Sequence, residues 1–358
     1  MEKDWIPEKN IIDSANAVIK NFIYLSQTKV SRYTIEKYTK AHPEYPSLSL
    51  GAIGSLLERW GLESLIYSCK SEHLDQLPKP SILLLRRHFE DDKEVEYVIL
   101  FNTQRTEVEY LHCKDGWTIE NKKTFLKKWA KIGLSLISSQ NFQEKNFSAL
   151  ERRYEKRLKE KRKKHEIYTI ENFLTREECK YIIKISRKRF VRSKVVVDGK
   201  PNVVDGRTSY SAFLDSLNDT KLLKIRIRAA QLLKHPLTHI EELQVVSYEK
   251  GQQYQIHHDA FTNKSISEKG KIEKNGQRVY TVLVYLNDDF FGGSTFFPSL
   301  EYKIQPKEGK ALVFRNVTKL RRIIKAANHC GLPVTKGRKY ALNIWIRDRP
   351  FLRGNSIN

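Results

Sequence analysis

Two histidines and an aspartate close the stretch YEKGQQYQIHHD, which covers residues 248–259, and a third histidine, His329, lies far downstream. Two imidazoles and one carboxylate on one side of a metal, with the other positions open, form the ligand set of mononuclear iron(II) sites. Side chains two residues apart in a strand point to the same face. The pattern therefore favours His257 and Asp259 as ligands and His258 as a bystander. A lone H-x-D pattern is weak, and a surface or core role is its ordinary alternative.

A lysine strengthens this interpretation. Lys339 follows a turn that contains Pro333 and Gly337 and precedes the apolar segment YALNIWI. A dicarboxylate cosubstrate such as 2-oxoglutarate chelates iron through its keto acid, and its far carboxylate needs a charged partner. In a chain this basic, a solvated lysine is the alternative.

The elements that would position these residues begin near residue 167. The sequence TREE at residues 175–178 matches a capping box, and it predicts a helix that continues to about residue 190. A second helix is predicted over residues 221–233. The β-branched segments that follow are short and separated by turns, which is typical of a β-sandwich or barrel of the jelly-roll type. They cover residues 243–248, 279–286, 294–297, 311–314 and 340–346.

The first part of the chain has a different order of elements. Helical periodicity comes first and short strands with a short helix follow, which predicts an α+β domain over residues 1–145. The predicted helices cover residues 10–27, 33–41, 48–60 and 125–130, and the predicted strands residues 65–69, 81–87, 94–101, 107–112 and 134–138. Residues 146–166 are highly charged and predict a basic helical linker. This segment is either a solvated connection or an arm that binds a polyanion.

Composition sets the class of protein. The 358 residues favour two domains, and 40% hydrophobic residues suffice for real cores. Lysine and arginine outnumber the acidic residues by 65 to 42, which suggests an acidic partner without identifying it. The cysteines are scattered, which argues against a zinc cluster or a disulfide framework. No signal peptide and no apolar run of about 20 residues is visible, so we expect a cytoplasmic protein without membrane contact.

From about residue 167 to residue 351 the chain resembles the iron(II)/2-oxoglutarate-dependent dioxygenases, most closely their prolyl 4-hydroxylase-like branch. The resemblance rests on motifs in the family's order, namely IENFLTREEC, RTSY, ELQVVSYEKGQQYQIHHD, YTVLVYLND, FFGGSTFFP, IQPKEGKALVF and HCGLPVTKGRKYALNIWIRD. It implies a double-stranded β-helix, or jelly roll, with flanking helices in residues 167–358. One departure is Ser294, where the family usually has an acidic residue that does not bind metal.

The resemblance also implies roles for single residues. His257, Asp259 and His329 would bind Fe(2+), and the retained aspartate argues against a halogenase. Lys339 would hold the far carboxylate of 2-oxoglutarate. The resemblance assigns Tyr248 to the same carboxylate, Tyr254 and Thr295 to the cofactor pocket, and Arg207 and Trp345 to the substrate. The implied reaction consumes 2-oxoglutarate and O2, releases succinate and CO2, and hydroxylates a carbon, with ascorbate as the expected reductant.

Residues 12–140 more loosely resemble the papain-like cysteine-peptidase domains of bacteriocin exporters, which cut double-glycine leader peptides. The resemblance rests on AHPEYPSLSLGAIGSLLERWGLES, LDQLPKPSILLL, EYVILFNTQRTEVEYLHCKDGW and FLKKWAKIGLSLI. The catalytic residues are missing. No cysteine precedes Cys69, Glu96 and Tyr97 stand where that family has its histidine, and His112 and Cys113 replace its Asp-Pro. We therefore predict an inactive peptidase-like domain that either covers the oxygenase or binds a peptide.

Three functions fit these patterns. The first is hydroxylation of a peptidyl residue, with a peptide or protein substrate that the first domain helps to bind. The second is hydroxylation of a free amino acid. The third is a nucleic-acid-associated role for the basic linker, which is less favoured because no nucleic-acid module or run of stacking aromatics is visible.

Overall fold

The computed structural model describes residues 14–86, 95–112, 116–139, 142–193, 195–197, 200–202, 208–262 and 266–352. The chain divides into two units, Met1–Lys159 and Glu160–Asn358. Their boundary falls within one helix, α5 (Phe147–Lys164), which covers most of the segment predicted as a linker. The domain limits predicted at residues 145 and 166 stay predictions.

The first unit begins with helices and continues with strands, as predicted. Its helices are α1 (Ser14–Leu25), α2 (Arg32–Ala41), α3 (Leu50–Glu58) and α4 (Lys122–Lys128), followed by α5. Its strands are β1 (Leu62–Ser68), β2 (Ser81–Arg86), β3 (Val95–Thr103), β4 (Glu107–His112), β5 (Gly116–Asn121) and β6 (Trp129–Ser139). Ser31 and Ser49 begin α2 and α3, because their hydroxyls accept hydrogen bonds from the backbone N–H groups of Thr34 and Ala52.

The six strands form one antiparallel sheet in the order β1-β6-β2-β3-β4-β5. Alternate side chains of the strands fill two cores. Ile82 and Ile99 pack with α1 and α3, whereas Leu83 and Val98 pack on the opposite face with Phe125 of α4. Strand β5 was not predicted, because GWTIEN is short and only half apolar.

The second unit contains the two predicted helices and one that the sequence did not indicate. Its helices are α6 (Arg176–Ser186), α7 (Thr220–Leu233) and α8 (Ile266–Asn275). The capping box is confirmed, since Thr175 and Glu178 bond to each other's backbone N–H groups. Helix α8 has little apolar periodicity and instead depends on tertiary contacts with its last turn. Arg347 donates to the carbonyl oxygens of Lys271 and Gly276, at 3.3 and 2.7 Å.

The strands of this unit form two main sheets. A seven-stranded sheet has the order β7-β18-β14-β21-β12-β11-β8, and a four-stranded sheet has the order β13-β19-β16-β17. The strands are β7 (Tyr168–Ile170), β8 (Val191–Arg192), β9 (Val195–Val197), β10 (Lys200–Asn202), β11 (Tyr210–Leu214), β12 (Leu243–Tyr248), β13 (Tyr254–His257), β14 (Arg278–Tyr285), β15 (Phe291–Gly292), β16 (Thr295–Phe297), β17 (Tyr302–Ile304), β18 (Ala311–Arg315), β19 (His329–Gly331), β20 (Val334–Lys336) and β21 (Lys339–Arg347).

Successive side chains of these strands point to opposite faces of the larger sheet and so contribute to two separate cores. Val282 and Val284 of β14 pack with α6 and α7 on one face of the larger sheet. Tyr285 and Phe314 on its other face pack with Phe297 of the smaller sheet. The side chains that face the smaller sheet are therefore the ones available to a site between these two sheets.

Within the described residues, no helix is long and apolar enough to cross a membrane. The cytoplasmic location stays a prediction.

Candidate metal centre

Two short strands bring the predicted ligands together. His257 ends β13 and pairs in register with His329, the first residue of β19. Their ring centroids are 4.3 Å apart. Asp259 follows the end of β13, so a turn rather than a continued strand brings its carboxylate to the cluster. Nε2 of His257 lies 3.7 Å from Oδ1 of Asp259, and one ligand atom from each of the three residues lies within 4.8 Å of the others.

Both imidazoles are oriented for a metal by backbone carbonyls. Nδ1 of His257 lies 2.8 Å from the carbonyl oxygen of Gln255, and Nδ1 of His329 lies 3.0 Å from that of Ala327. Because a carbonyl oxygen only accepts, each Nδ1 carries the proton. The lone pair of each Nε2 is thereby left for a metal.

The third ligand is held in its ionised form. Thr281 of β14 donates its hydroxyl to Oδ2 of Asp259 at 2.7 Å, and Asn316 donates to the Thr281 hydroxyl at 3.0 Å. Burial alone would raise the pKa of Asp259. Electrostatic interactions with His329, His257 and Arg278 and the hydrogen bond from Thr281 outweigh burial, so the pKa of Asp259 lies well below its ordinary value.

His258 is not part of the cluster of His257, Asp259 and His329, and its role as a bystander stays a prediction. Its Nδ1 contacts the carbonyl oxygen of Ala260 at 2.7 Å, and the residue lines the same cavity as the ligands.

Lys339 is a buried cation whose charge has no anionic partner. It is 4% exposed, and its Nζ donates to the carbonyl oxygen of Gly293 at 2.6 Å. The rings of Tyr248 and Tyr285 lie 5.4 Å from the same nitrogen. Burial lowers the pKa of Lys339 to about 8, and no carboxylate in the described part of the chain forms a salt bridge with it. A buried ammonium of this kind needs a bound anion.

The other predicted cofactor residues lie around these two groups. Tyr248 is the cross-strand neighbour of Lys339. Tyr254 stacks on His257 with ring centroids 3.5 Å apart. Thr295 accepts a hydrogen bond from the Tyr285 hydroxyl at 2.8 Å. One cavity of about 720 Å³ is lined by the three ligands, Lys339 and all three of these predicted residues.

Of the two predicted substrate residues, the structure describes one. Trp345 lines the cavity, and its buried indole N–H has no hydrogen-bond partner among the described residues. The guanidinium of Arg278 lies 3.6 Å from the centre of the Trp345 ring. Arg207 lies outside the described residues.

Sequence reasoning missed several residues of this cavity. Arg278 donates two hydrogen bonds to Glu241, at 2.6 and 2.8 Å, and Arg347 donates to the same carboxylate at 2.7 Å. Thr281 was also missed, and so was Tyr285, which is hydrogen-bonded to the lining residue Thr295. The two residues are four apart along β14, an even spacing that places both on the face towards the smaller sheet, and strand alternation could have identified them.

These residues fit a divalent metal and a dicarboxylate. The Nε2 atoms of His257 and His329 and the ionised carboxylate of Asp259 form the ligand set that iron(II) takes in this type of site. The unpaired charge of Lys339 in the same cavity fits the second carboxylate of 2-oxoglutarate. Site roles assigned to single residues stay predictions.

Comparison with known proteins agrees with this fit. Residues 243–347 match the family described as the 2OG-Fe(II) oxygenase superfamily. The chain is 33% identical over 185 residues to a putative prolyl 4-hydroxylase of Acanthamoeba polyphaga mimivirus, and the match covers 51% of this chain and 75% of that protein.

Two solved structures are also similar. A viral collagen prolyl hydroxylase from Paramecium bursaria Chlorella virus-1, solved with 2-oxoglutarate, is 27% identical with a TM-score of 0.41, covering 50% of this chain and 94% of its own. A double-glycine motif protease of a transporter, in complex with a leader peptide, is 14% identical with a TM-score of 0.32, covering 37% of this chain and 89% of its own.

Proposed function

The chain belongs to the 2OG-Fe(II) oxygenase superfamily as a prolyl 4-hydroxylase-like, iron(II)- and 2-oxoglutarate-dependent dioxygenase, and we propose that it acts on a prolyl residue within a peptide or protein. The observation that carries this proposal is the shared cavity of the His257, Asp259 and His329 cluster and the buried, unpaired Lys339. O2 is the second cosubstrate, and ascorbate is the expected reductant.

Iron, when bound, supplies the oxidising chemistry that couples decarboxylation of 2-oxoglutarate to hydroxylation. The protein's own residues prepare the site for it. The backbone carbonyls of Gln255 and Ala327 fix the imidazole protons on Nδ1, and Thr281 holds the carboxylate of Asp259 in one orientation. Lys339, with Tyr248 beside it, would neutralise the second carboxylate of 2-oxoglutarate.

The substrate would enter along the wall formed by Trp345 and Arg278. The orphaned indole N–H of Trp345 is a donor that a substrate carbonyl could satisfy. Glu241 binds two nitrogens of Arg278 and so holds its guanidinium 3.6 Å from the centre of the Trp345 ring. A flat, rigid aromatic surface of this kind suits a pyrrolidine ring.

We further propose that two sheets of the second unit form the double-stranded β-helix of this superfamily. The mixed core of Tyr285, Phe314 and Phe297, with side chains from both sheets, supports this assignment.

For the first unit we propose a peptide-binding role without peptidase activity. Helix α1 contains no cysteine. Glu96 and His112, which replace the family's histidine and Asp, meet as a pair with 2.8 Å between Oε2 and Nε2. They form an acid and a base, and the one described cysteine of this unit, Cys69, follows β1, which β6 and β2 separate from the strands that carry the pair.

The edge strand β1 supports the binding role. β1 is the outermost strand of its sheet and carries the exposed side chains of Leu65 and Ile66. An exposed edge strand with apolar side chains is a template for an extended peptide, which adds main-chain hydrogen bonds to the sheet. A substrate held there would be at a raised effective concentration near the oxygenase.

The test is mass spectrometry of proline-containing peptides incubated with iron(II), 2-oxoglutarate and O2. We expect one added oxygen atom on a prolyl residue that depends on all three. Oxygen addition to free proline alone, with no peptide modified, would contradict the peptidyl assignment.

A further inference from the structure

Helix α8 forms one side of the cavity that contains the metal cluster, and Trp345 and Arg278 line the same cavity. Glu268, Lys271 and Asn275 of this helix line the cavity. The helix is fixed at its end, since Asn275 accepts a hydrogen bond from the backbone N–H of Leu352 at 2.9 Å. Side chains on its inner face are therefore presented to whatever enters the cavity.

The carboxylates of this cavity wall already have partners. Glu241 accepts hydrogen bonds from both Arg278 and Arg347. Glu268 accepts a hydrogen bond from the hydroxyl of Thr262. Asp259 belongs to the metal cluster.

Lys271 is the exception among the charged groups here. Its Nζ makes no hydrogen bond and no salt bridge with any residue that the structure describes, and its nearest aromatic contact is the ring of Phe261, 5.5 Å away. Partial burial, then Arg278 and Arg347, lower its pKa, whereas Glu268 and Glu241 raise it. Apart from Asp259, which belongs to the metal cluster, this part of the cavity holds three cations, Lys271, Arg278 and Arg347, against two carboxylates, Glu241 and Glu268, so one positive charge has no matching carboxylate.

We propose that Lys271 binds a carboxylate of the substrate and so selects substrates with a negative charge close to the target proline. This inference rests on the proposed function, because it concerns the substrate of the same site. The half-buried ammonium of Lys271 has no hydrogen-bond acceptor among the described residues. It can therefore form a charge-assisted hydrogen bond with a ligand that enters the cavity. One carboxylate of the substrate would bring the negative charges of this part of the cavity to three, equal to its three positive charges, and would leave no charge unpaired.

The carboxylate could come from a Glu or Asp side chain, from the C-terminus of a short peptide, or from a free amino acid. These sources are separated by pairs of peptides with a central proline that carry either Glu or Gln at one flanking position. Their termini are acetylated and amidated, so that the two peptides of a pair differ only in the charge of that side chain. The same neutral peptide with a free C-terminus, and free L-proline, complete the set.

We expect wild-type enzyme to hydroxylate the Glu peptide at the preferred position with a kcat/KM about tenfold or more above that of its Gln partner. In Lys271→Gln this ratio should fall to about one, and in Lys271→Glu it should fall below one, because the new carboxylate repels the Glu peptide. Raised salt should reduce the wild-type ratio and leave the Lys271→Gln ratio unchanged.

Lys274 provides the matched control. It lies on the same helix, is exposed and does not line the cavity, so Lys274→Gln should keep the wild-type ratio. Equal rates with every Glu and Gln pair in wild-type enzyme, or an unchanged ratio in a folded Lys271→Gln protein, would overturn the inference. If wild-type enzyme modifies no peptide but does modify free L-proline, the proposed function fails instead.

Discussion

Replacement of Lys339 by methionine should remove 2-oxoglutarate binding and at the same time stabilise the protein that has no ligand. The side chain is buried, keeps its charge next to one carbonyl and two rings, and has no carboxylate partner in the described part of the chain. Methionine has nearly the same length and no charge, so it fills the space without the cost of desolvation.

The pKa of Lys339 gives the size of this effect. Its fall from 10.5 to about 8 corresponds to roughly 3 kcal/mol of unfavourable free energy for the charged form. Below pH 8 the lysine is protonated in both the folded and the unfolded chain, and this cost is present in full. Between about pH 8 and 10.5 only the unfolded chain keeps the proton, so this group makes the folded state more stable as the pH rises.

The free energy of unfolding should therefore be higher in Lys339→Met than in wild type at pH 7, by up to roughly 3 kcal/mol, and the difference should shrink as the pH approaches 10. Urea unfolding without iron or 2-oxoglutarate measures it. Anaerobic titration with iron(II) and 2-oxoglutarate should show affinity for 2-oxoglutarate weaker by about 100-fold or more, because the second carboxylate loses its charged partner.

Lys336 is the control, because it lies on β20, is exposed and has its ammonium 5.7 Å from the centre of the Phe291 ring. Lys336→Met should leave both measurements unchanged. Wild-type 2-oxoglutarate affinity in Lys339→Met would refute the role of this lysine. A large loss of stability without ligand would refute the view that its charge is uncompensated.

Two further predictions concern the metal ligand and the first unit. Thr281→Val should lower iron(II) affinity by about 10- to 100-fold, because Asp259 loses its hydrogen-bond donor; a competitive iron titration that gives the wild-type value would contradict this role. Leu65→Glu on β1 should weaken peptide binding by about tenfold or more, since a charge replaces an apolar side chain at the proposed docking edge. Peptide affinity is measured by calorimetry, and the control is Ile119→Glu on the opposite edge strand, where the side chain is 66% exposed against 55% for Leu65. Equal losses of affinity in both variants would remove the case for β1.

The metal cluster could be predicted because its pattern is largely local. His257 and Asp259 are two residues apart, whereas the short strands that hold His257 and His329, β13 and β19, were not among the strands that the apolar segments predicted. Lys339 was found from its place at the start of an apolar segment. Its lack of a carboxylate partner could not be read from the sequence, because that depends on every side chain packed around it.

The substrate wall could not be predicted, because its contacts join distant parts of the chain. Glu241 precedes β12, Arg278 begins β14 and Arg347 ends β21, and only the sheet order brings them together. Helix α8 was missed for a related reason. Its sequence lacks a regular apolar face, and contacts from Arg347 and Leu352 to its last turn hold it in place.

The most direct test of the central claim is the amount of succinate formed per hydroxylated prolyl residue, measured in one reaction with the preferred peptide. The account predicts a ratio near one in the wild-type enzyme and no product of either kind in Asp259→Ala, whose remaining imidazoles lack the carboxylate ligand. Hydroxylated peptide without succinate, or full turnover by Asp259→Ala, would contradict it.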